Sequence, residues 1–472
     1  MSTAVKISII GAGSAVFSLS LVKDLCLSKG LAGSSVCFMD IDSERLKMVH
    51  RLADRYASEL ATDTHFSSTQ NLRIALEEAD FVINTVYFKG HQHEWEMRKI
   101  VANHGYRYDG VHLGDYYQLR FALDLAREME RLCPSAWLLQ IANPVFNCST
   151  LVSRQTDIKI CGLCHGHLGY RRIAETIGLD PDQVSWEAPG LNHNIWLTKF
   201  DYRGRNAYSV IDKWIEEQAE QYWQTHQRSS THDIEMSRGA VHQYLMYGLF
   251  PVGDTVRRLG GGATVGCTVH RGEWWLHKDL EVEKYWFGKP FGGPDNEVAR
   301  RHFEKILEQR INKIMVLASD SRVSIVESLG MDYSEEQAIP LIDSLVNGVE
   351  GEFQVNIPNR GGVISQLPDD VVVEVPARVC GEGIRPVRIG NFPPKILIEC
   401  LLPHWLDMER NLLAFQTGDR SILLWNALDS WQTQSYEQGK AVTEKLLSMA
   451  GHEEMNKHYK YPKNWPKEYR EA

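Results

Sequence analysis

The chain has 472 residues, of which 43% are hydrophobic, and it carries a formal net charge of −10. This composition allows a large buried core and two or three domains, whereas the acidic balance excludes a broad basic surface for nucleic acid or anionic lipid. No uncharged run approaches the length needed to cross a bilayer, so we expect a small-molecule partner, with no nucleic acid and no membrane.

Over the first two hundred residues, short apolar segments alternate with amphipathic ones. Leu46, Val49, Ala53 and Tyr56 recur at helical spacing, and a second apolar face runs from Leu119 to Leu132. The predicted strands between such helices are residues 6–10, 36–39, 81–86, 137–141 and 158–163. This β-α-β order indicates an α/β fold with a mainly parallel, Rossmann-type sheet.

The pattern changes after His193. Residues 195–202 are expected to form a strand, residues 208–223 a helix, residues 352–357 and 371–375 further strands, and long helices follow from about residue 395. A glycine-rich turn at 259–263 and an aromatic group from Trp274 to Phe287 lie between them. We therefore divide the chain into a nucleotide-binding domain, 1–194, and an α+β substrate domain, 195–472.

The first motif is Gly11-Ala12-Gly13-Ser14, which follows a predicted strand and opens a helix. Backbone N–H groups at such a helix start can face a pyrophosphate, and the missing side chains permit close approach. Asp40 ends the second strand, where a carboxylate accepts hydrogen bonds from ribose hydroxyls and repels an added phosphate. The motif favours NAD over NADP, although a tight turn followed by a helix cap near Asp40 would look similar.

Two amides follow later strands. Asn84 ends one strand, and Asn143-Pro144 ends the next, at the carboxyl edge where doubly wound sheets place ligands. Polar amides at this edge could contact the nicotinamide or the substrate, and Asn84 is a candidate cofactor contact. For Asn143 the alternative is a helix cap.

Cys164 and His193 are the candidate metal ligands, because a soft thiolate and an imidazole together can hold a divalent transition metal. Cys161 and Cys164 also form a C-x-x-C, which in another setting indicates a redox pair or half a zinc site, but no second C-x-x-C completes it. The nine cysteines are too sparse for a disulfide scaffold, and residues 1–10 show no secretion signal, so we expect a cytoplasmic protein.

Together these motifs resemble the NAD-dependent family 4 glycoside hydrolases. The resemblance is carried by IIGAGSAVF, MDIDSERL, DFVINT, AWLLQIANPVF, CHGHLG, GLNHNIWL and PVGDTVR, in this order. The CHGH form is most similar to the Thermotoga-type α-glucosidase branch. The resemblance implies a fold like lactate and malate dehydrogenases, a need for NAD and Mn(II) or another divalent ion, and a homodimer or homotetramer.

The resemblance also implies roles for particular residues. Cys164 and His193 match metal ligands, Asn143 matches a substrate-binding amide, and Asp254 matches the catalytic base. Arg257 would orient substrate or base. Asp115, in a DYY sequence, matches the acid, with Asp109 as its possible substitute. His165 would contact sugar hydroxyls or support Cys164. Without the resemblance, Gly253-Asp254-Thr255 is typical of a turn or cap.

The implied reaction is hydrolysis of an α-glycoside by transient oxidation at the third sugar carbon, elimination, water addition and re-reduction. Glucose is the first candidate sugar, with α-galactosidase and α-glucuronidase as alternatives. A plain NAD-dependent sugar dehydrogenase is the alternative class, and it would accumulate NADH. A non-catalytic metal or redox module at Cys161 and Cys164 would need no substrate.

Overall fold

The computed structural model describes residues 2–106, 111, 113–226, 233–256, 297–430 and 432–462. Its centre is a parallel sheet whose inner strands are buried almost throughout, as expected for strands covered by helices on both faces. The six parallel strands are β1 (Lys6–Ile10), β2 (Ser35–Met39), β3 (His65–Thr69), β4 (Phe81–Asn84), β5 (Trp137–Gln140) and β6 (Lys159–Gly162). They lie in the order 3-2-1-4-5-6, which is the dinucleotide-binding arrangement.

Amphipathic helices connect these strands. In the helix after β2, Leu46, Val49, Ala53 and Tyr56 are buried on one face, and Asp42 caps its start by accepting from two backbone N–H groups. The helices of this half are α1 (Ala15–Leu27), α2 (Ser43–Leu60), α3 (Leu72–Leu76), α4 (Gly90–Asn103), α5 (Tyr116–Leu132), α6 (Val145–Gln155) and α7 (Gly169–Thr176). The predicted Rossmann-type half is confirmed, and only β3, a short polar strand, was missed.

The sheet continues beyond β6 with strands from the rest of the chain. The strands that extend it are β8 (Gly190–Leu191), β9 (Asn194–Leu197), β12 (Phe250–Val252), β13 (Gly351–Pro358), β14 (Val372–Cys380) and β15 (Gly383–Pro386), whereas β7 (Val184–Glu187), β10 (Lys199–Tyr202) and β11 (Arg205–Asn206) form a separate three-stranded sheet. From β6 the order runs β13, β14, β8, β9, β12, with antiparallel pairing at each step. The division at residue 194 stays a prediction, since strands from both sides of it share this sheet.

Residues 195–202 and 208–223 each form two elements where one was expected. The buried side chains Ile195 and Leu197 belong to β9, whereas Phe200 belongs to β10 in a separate three-stranded sheet, so the alternation changes phase at Thr198. Helix α8 (Tyr208–Glu217) stops before α9 (Ala219–Thr225). A continuous helix would place Trp214 and Trp223 on opposite faces, and the break lets both enter one core.

Helices complete the second half and cover the sheet. They are α10 (Arg238–Tyr247), α11 (Glu297–Ser319), α12 (Ile325–Leu329), α13 (Ala338–Asn347), α14 (Pro394–Ile396), α15 (Leu402–Thr417), α16 (Arg420–Leu428), α17 (Tyr436–Leu447) and α18 (Glu453–His458). The expected α+β portion after the parallel sheet is confirmed. No helix within the described ranges is long and apolar enough to span a membrane.

Candidate functional site

Three loops meet beside the antiparallel extension of the sheet, and we call them the loop cluster: residues 164–166 after β6, 192–193 between β8 and β9, and 253–254 after β12. The backbones of Gly166 and Gly253 approach so closely that a Cβ on Gly253 would lie 2.5 Å from the Gly166 carbonyl oxygen. His193 Nε2 lies 3.5 Å from Asp254 Oδ2. The structure therefore brings a predicted metal ligand next to the predicted base.

The turn that carries His193 is tight. It contains only two residues, and His193 adopts a positive φ of 62° while its side chain is almost fully buried. Gly190 permits the hairpin, because a Cβ there would lie 2.1 Å from the Asn194 carbonyl oxygen. A buried histidine in such a strained turn is held in place by its surroundings, which suits a residue with a fixed partner.

Asp254 is anchored through its neighbour. The Thr255 hydroxyl accepts from the Ile195 backbone N–H at 2.8 Å and donates to the Ile195 carbonyl at 3.0 Å, which ties this loop to β9. The Asp254 side chain keeps 18% of its surface exposed. The backbone at Asp254 is therefore fixed, and its carboxylate is partly exposed.

Cys164 lies against the same group of residues. Desolvation, together with the nearby Glu374 and Asp254 carboxylates, raises the pKa of its thiol above the ordinary value, and a polar contact from Asn192 lowers it. The Cys164 backbone is fixed by His167, whose Nδ1 lies 3.1 Å from the Cys164 carbonyl oxygen. Burial lowers the pKa of His167 to about 4, so this imidazole is neutral and supports the loop.

A row of buried polar side chains beneath the loop cluster was not predicted. Asn356 and Glu374 face each other across β13 and β14, Gln354 lies next to them, and each of the three is 1% exposed. Burial raises the pKa of Glu374 to about 7. The available signal was a polar residue inside each apolar strand, Gln and Asn in FQVNI and Glu in VVVEV, which indicates a buried polar contact when the strand is covered on both faces.

Asn143 lies at the start of α6 with an unused acceptor. Its Oδ1 is buried and has no hydrogen-bond partner among the described residues. Its backbone carbonyl accepts from Gln118 Nε2 at 2.6 Å, and Gln118 also binds the loop after β4. A buried, unpaired amide oxygen is the group expected where a ligand hydroxyl supplies the missing donor.

Asp115, the predicted acid, lies just before α5 and lines a cleft between α4, the start of α5 and the C-terminal helices. Asn147 Nδ2 donates to its Oδ2 at 3.2 Å, and its side chain is 6% exposed. On the opposite wall, Tyr87 donates to the Glu94 carboxylate, which also pairs with Arg98. Burial alone would raise the pKa of Glu94, but Arg98 and Tyr87 hold it below the ordinary value.

The backbone N–H groups of the glycine turn after β1 are hydrogen-bonded to the end of β2. The N–H groups of Gly11 and Ala12 donate to the Met39 carbonyl at 2.9 and 3.1 Å, and Gly13 N–H donates to Asp40 Oδ2 at 2.7 Å. The other Asp40 oxygen accepts from Asp42 N–H at 2.9 Å. A Cβ on Gly13 would lie 2.7 Å from the Asp40 carboxylate, so the turn needs glycine there, and Ser14 stands exposed at the helix start.

The remaining candidate residues lie outside the loop cluster, at its exposed edge or outside the described residues. Both ends of the Asn84 amide are used, since Nδ2 donates to Gln140 at 2.9 Å and Oδ1 accepts from Val86 N–H at 3.1 Å. The His165 side chain is largely exposed, 3.7 Å from Glu336 Oε1, and this interaction raises its pKa. Their binding roles stay predictions. Arg257, Asp109, the turn at 259–263 and the aromatic group at 274–287 lie outside the described residues.

Two family models match the chain. The model for family 4 glycosyl hydrolases matches residues 6–179, and the model for the C-terminal domain of the same family matches residues 188–431, more than half of the chain. The chain belongs to glycosyl hydrolase family 4. The family resemblance in the sequence is thereby confirmed, and the enzyme is a glycosidase.

The relatives of this glycosidase are named for different sugars. It is 24% identical over 410 residues to an α-galactosidase of Bacillus subtilis, covering 83% of this chain and 85% of that protein. It is 27% identical over 436 residues to an α-glucosidase of Erwinia rhapontici, covering 83% and 86%. An α-galacturonidase of Lachnoclostridium phytofermentans is 24% identical over 448 residues, covering 89% and 90%.

Solved structures agree on the fold. The putative glucosidase lplD from Bacillus subtilis superposes with a TM-score of 0.76 at 20% identity, over 94% of this chain and all of that one. A 6-phospho-α-glucosidase from gut microorganisms, in complex with NAD and Mn²⁺, gives 0.71 at 17% identity, over 98% and 100%. Lactate dehydrogenase from Eimeria maxima gives 0.51 at 15% identity, over 89% and 97%, in line with the expected dehydrogenase-like fold.

Proposed function

We propose that this glycosidase cleaves α-glycosides, with α-glucosides as the first candidate, and that it uses NAD and a divalent ion such as Mn(II). The observation that carries the proposal is the loop cluster, in which Cys164, His193 and Asp254 come from three distant segments to one place. A thiol near a paired imidazole and carboxylate suits a metal-assisted proton abstraction.

The glycine turn fits a dinucleotide. Strand order 3-2-1-4-5-6 places the turn at the point where such sheets bind pyrophosphate, and Gly11 and Gly13 leave no room for side chains. Each Asp40 oxygen accepts one backbone N–H, and a carboxylate oxygen has a second lone pair. Asp40 can therefore hold the turn and still accept hydrogen bonds from the ribose hydroxyls of NAD.

The loop cluster fits a metal ion held by two protein ligands. Within the described ranges, no group of three or more His, Cys, Asp or Glu side chains has the arrangement of a complete metal site. Cys164 and His193 would be the ligands, which leaves open positions for substrate oxygens. The raised pKa of the Cys164 thiol means that metal binding would compete with a proton, so the affinity should rise with pH.

The side chains then have separate tasks. Bound NAD would supply reversible oxidation at the third sugar carbon, and a bound metal ion would stabilise the charge created when the neighbouring carbon loses its proton. Asp254 would take that proton at its partly exposed carboxylate. Asn143 Oδ1 would accept a hydrogen bond from a sugar hydroxyl. Asp115, held in place by Asn147, would protonate the departing glycosidic oxygen.

The choice of sugar rests on the named relatives and on the CHGH motif. The α-glucosidase of Erwinia rhapontici is the relative with the highest identity among those named above, and the CHGH motif resembles the α-glucosidase branch. The B. subtilis α-galactosidase is nearly as similar, so α-galactosides are the second candidate. Glucose and galactose differ at one ring carbon, which a few contacts can distinguish.

A panel of nitrophenyl α-glycosides tests the proposal. We expect release of nitrophenol from the α-glucoside faster than from the α-galactoside or α-glucuronide, and loss of release when either NAD or Mn(II) is omitted. Absorbance of reduced cofactor should not accumulate. Accumulation of NADH in proportion to product would contradict the hydrolytic cycle, and a preference for the galactoside would overturn the sugar assignment alone.

A further inference from the structure

Glu374 is buried in the sheet beneath the loop cluster, where an apolar residue would be expected. It is 1% exposed, and its neighbours Val372, Val373 and Val375 are fully buried. A carboxyl group in such surroundings lowers stability unless it is hydrogen-bonded, and replacement by an apolar residue is often neutral. Its presence therefore needs a reason beyond packing.

The contacts of Glu374 point toward the metal site. Asn192 Nδ2 donates to Glu374 Oε2 at 2.8 Å, across 182 residues of sequence. Asn192 is one half of the two-residue turn whose other half is His193, and its amide is near enough to the Cys164 thiol to lower the pKa of that thiol. One carboxyl group thus fixes a side chain that adjoins both predicted ligands.

The other partners of Glu374 hold it rigidly. Gln354 Nε2 lies 3.5 Å from Glu374 Oε1 and 2.7 Å from the Ala188 carbonyl oxygen. Asn356 lies opposite Glu374 on the neighbouring strand and helps to lower its pKa, and Asn356 Nδ2 lies 3.4 Å from the Gly162 carbonyl oxygen, two residues before Cys164. Glu374 pairs with Gly190 in the sheet, so this row of side chains joins the strand before Cys164 to the strand before His193.

We propose that Glu374 is a positioning residue for the metal site, acting through Asn192 on the turn of His193 and on the thiol of Cys164. The inference deepens the proposed function and rests on it. Partners that orient metal ligands typically account for a 10–100-fold difference in metal affinity. The carboxyl group would have no contact with the substrate.

Titration with Co(II) tests this role without turnover, because a thiolate bound to Co(II) gives a charge-transfer absorption band. For Glu374→Met, which removes the acceptor, we expect Co(II) affinity to fall about 10–100-fold and the band to weaken. Glu374→Gln should stay closer to the wild type, since its amide oxygen can still accept from Asn192 and only the long contact from Gln354 Nε2, at 3.5 Å, is lost. Thermal unfolding without metal shows whether each variant is folded.

Two further variants make the result interpretable. Glu352→Met, on the same strand as Asn356 but 81% exposed, is the matched control and should bind Co(II) as the wild type does. Cys164→Ser should lose the band. Unchanged affinity in Glu374→Met, or equal losses in folded Met and Gln variants, would overturn the positioning role. A wild type without the band would overturn Cys164 as a ligand and this inference with it, while the glycoside panel would still decide the activity.

Discussion

The glycine turn and the loop cluster differ in how completely their polar groups are used. In the glycine turn, the N–H groups of Gly11, Ala12 and Gly13 all have backbone or side-chain acceptors. Around the loop cluster, the amide oxygens of Gln354 and Asn356 are buried without a hydrogen-bond partner. The turn is held by hydrogen bonds to the end of β2, whereas the loop cluster retains hydrogen-bonding capacity at the expense of stability, as is common where a protein binds and reacts.

The largest expected effect of breaking the loop cluster is catalytic. Asp254→Asn keeps the shape of the side chain and its partly exposed position but removes the base, so kcat for glycoside cleavage should fall about 10²–10⁴-fold. NAD binding, Co(II) binding and thermal unfolding should change little. The exposed Asp369→Asn serves as control. Cleavage by Asp254→Asn at the wild-type rate would show that another group takes the proton.

A second effect concerns stability and pH. Glu235 lies under the loop cluster, since a Cβ on Gly169 would lie 3.0 Å from its carboxylate and 3.1 Å from Gly253 N. Burial raises the pKa of Glu235 from 4.5 to about 7. Between these values the folded chain keeps a proton that the unfolded chain releases, so the free energy of unfolding falls as pH rises from 4.5 through 7, by about 3 kcal/mol in total.

Glu235→Gln should remove this pH dependence. In urea unfolding at pH 4.5, we expect the variant and the wild type to have similar free energies of unfolding. At pH 8, we expect the variant to be more stable than the wild type. Glu216→Gln, at an exposed position on α8, is the control and should follow the wild type. A stability difference that does not change with pH would mean that Glu235 releases its proton at an ordinary pH in the folded chain.

The same contrast explains what could be predicted from the sequence. The glycine turn and Asp40 are 27 residues apart and follow a local strand-turn-helix pattern, so both were found. Cys164, His193 and Asp254 were named from motifs, and the structure brings them to one place. Periodicity also found five of the six parallel strands, because buried parallel strands are nearly continuous apolar runs.

The missed features depend on long-range contacts. Glu374 was part of an apolar run at the edge of a predicted strand, and its role follows only from a partner 182 residues away. The hydrogen bond from the Asn84 amide to Gln140 on the neighbouring strand was also not foreseen, while the cofactor role of Asn84 stays a prediction. Neither pairing has a local pattern, because sheet register is set by the tertiary fold.

The smallest expected effect isolates the contact between two loops. Gly253 and Gly361 both have positive φ, +58° and +76°, so alanine is strained by about 1–2 kcal/mol at either position. Only at Gly253 would the new Cβ meet backbone, 2.5 Å from the Gly166 carbonyl oxygen, while nothing lies within 4 Å at Gly361.

Gly253→Ala should therefore lose about 1–3 kcal/mol more than Gly361→Ala in urea unfolding, and only Gly253→Ala should also lower kcat, since the clash moves Asp254 relative to His193. The glycine control makes the comparison independent of the strain that both variants share. Equal losses of stability with unchanged kcat would mean that the loop at Gly166 gives way without cost, and that the contact between the two loops does not position the base.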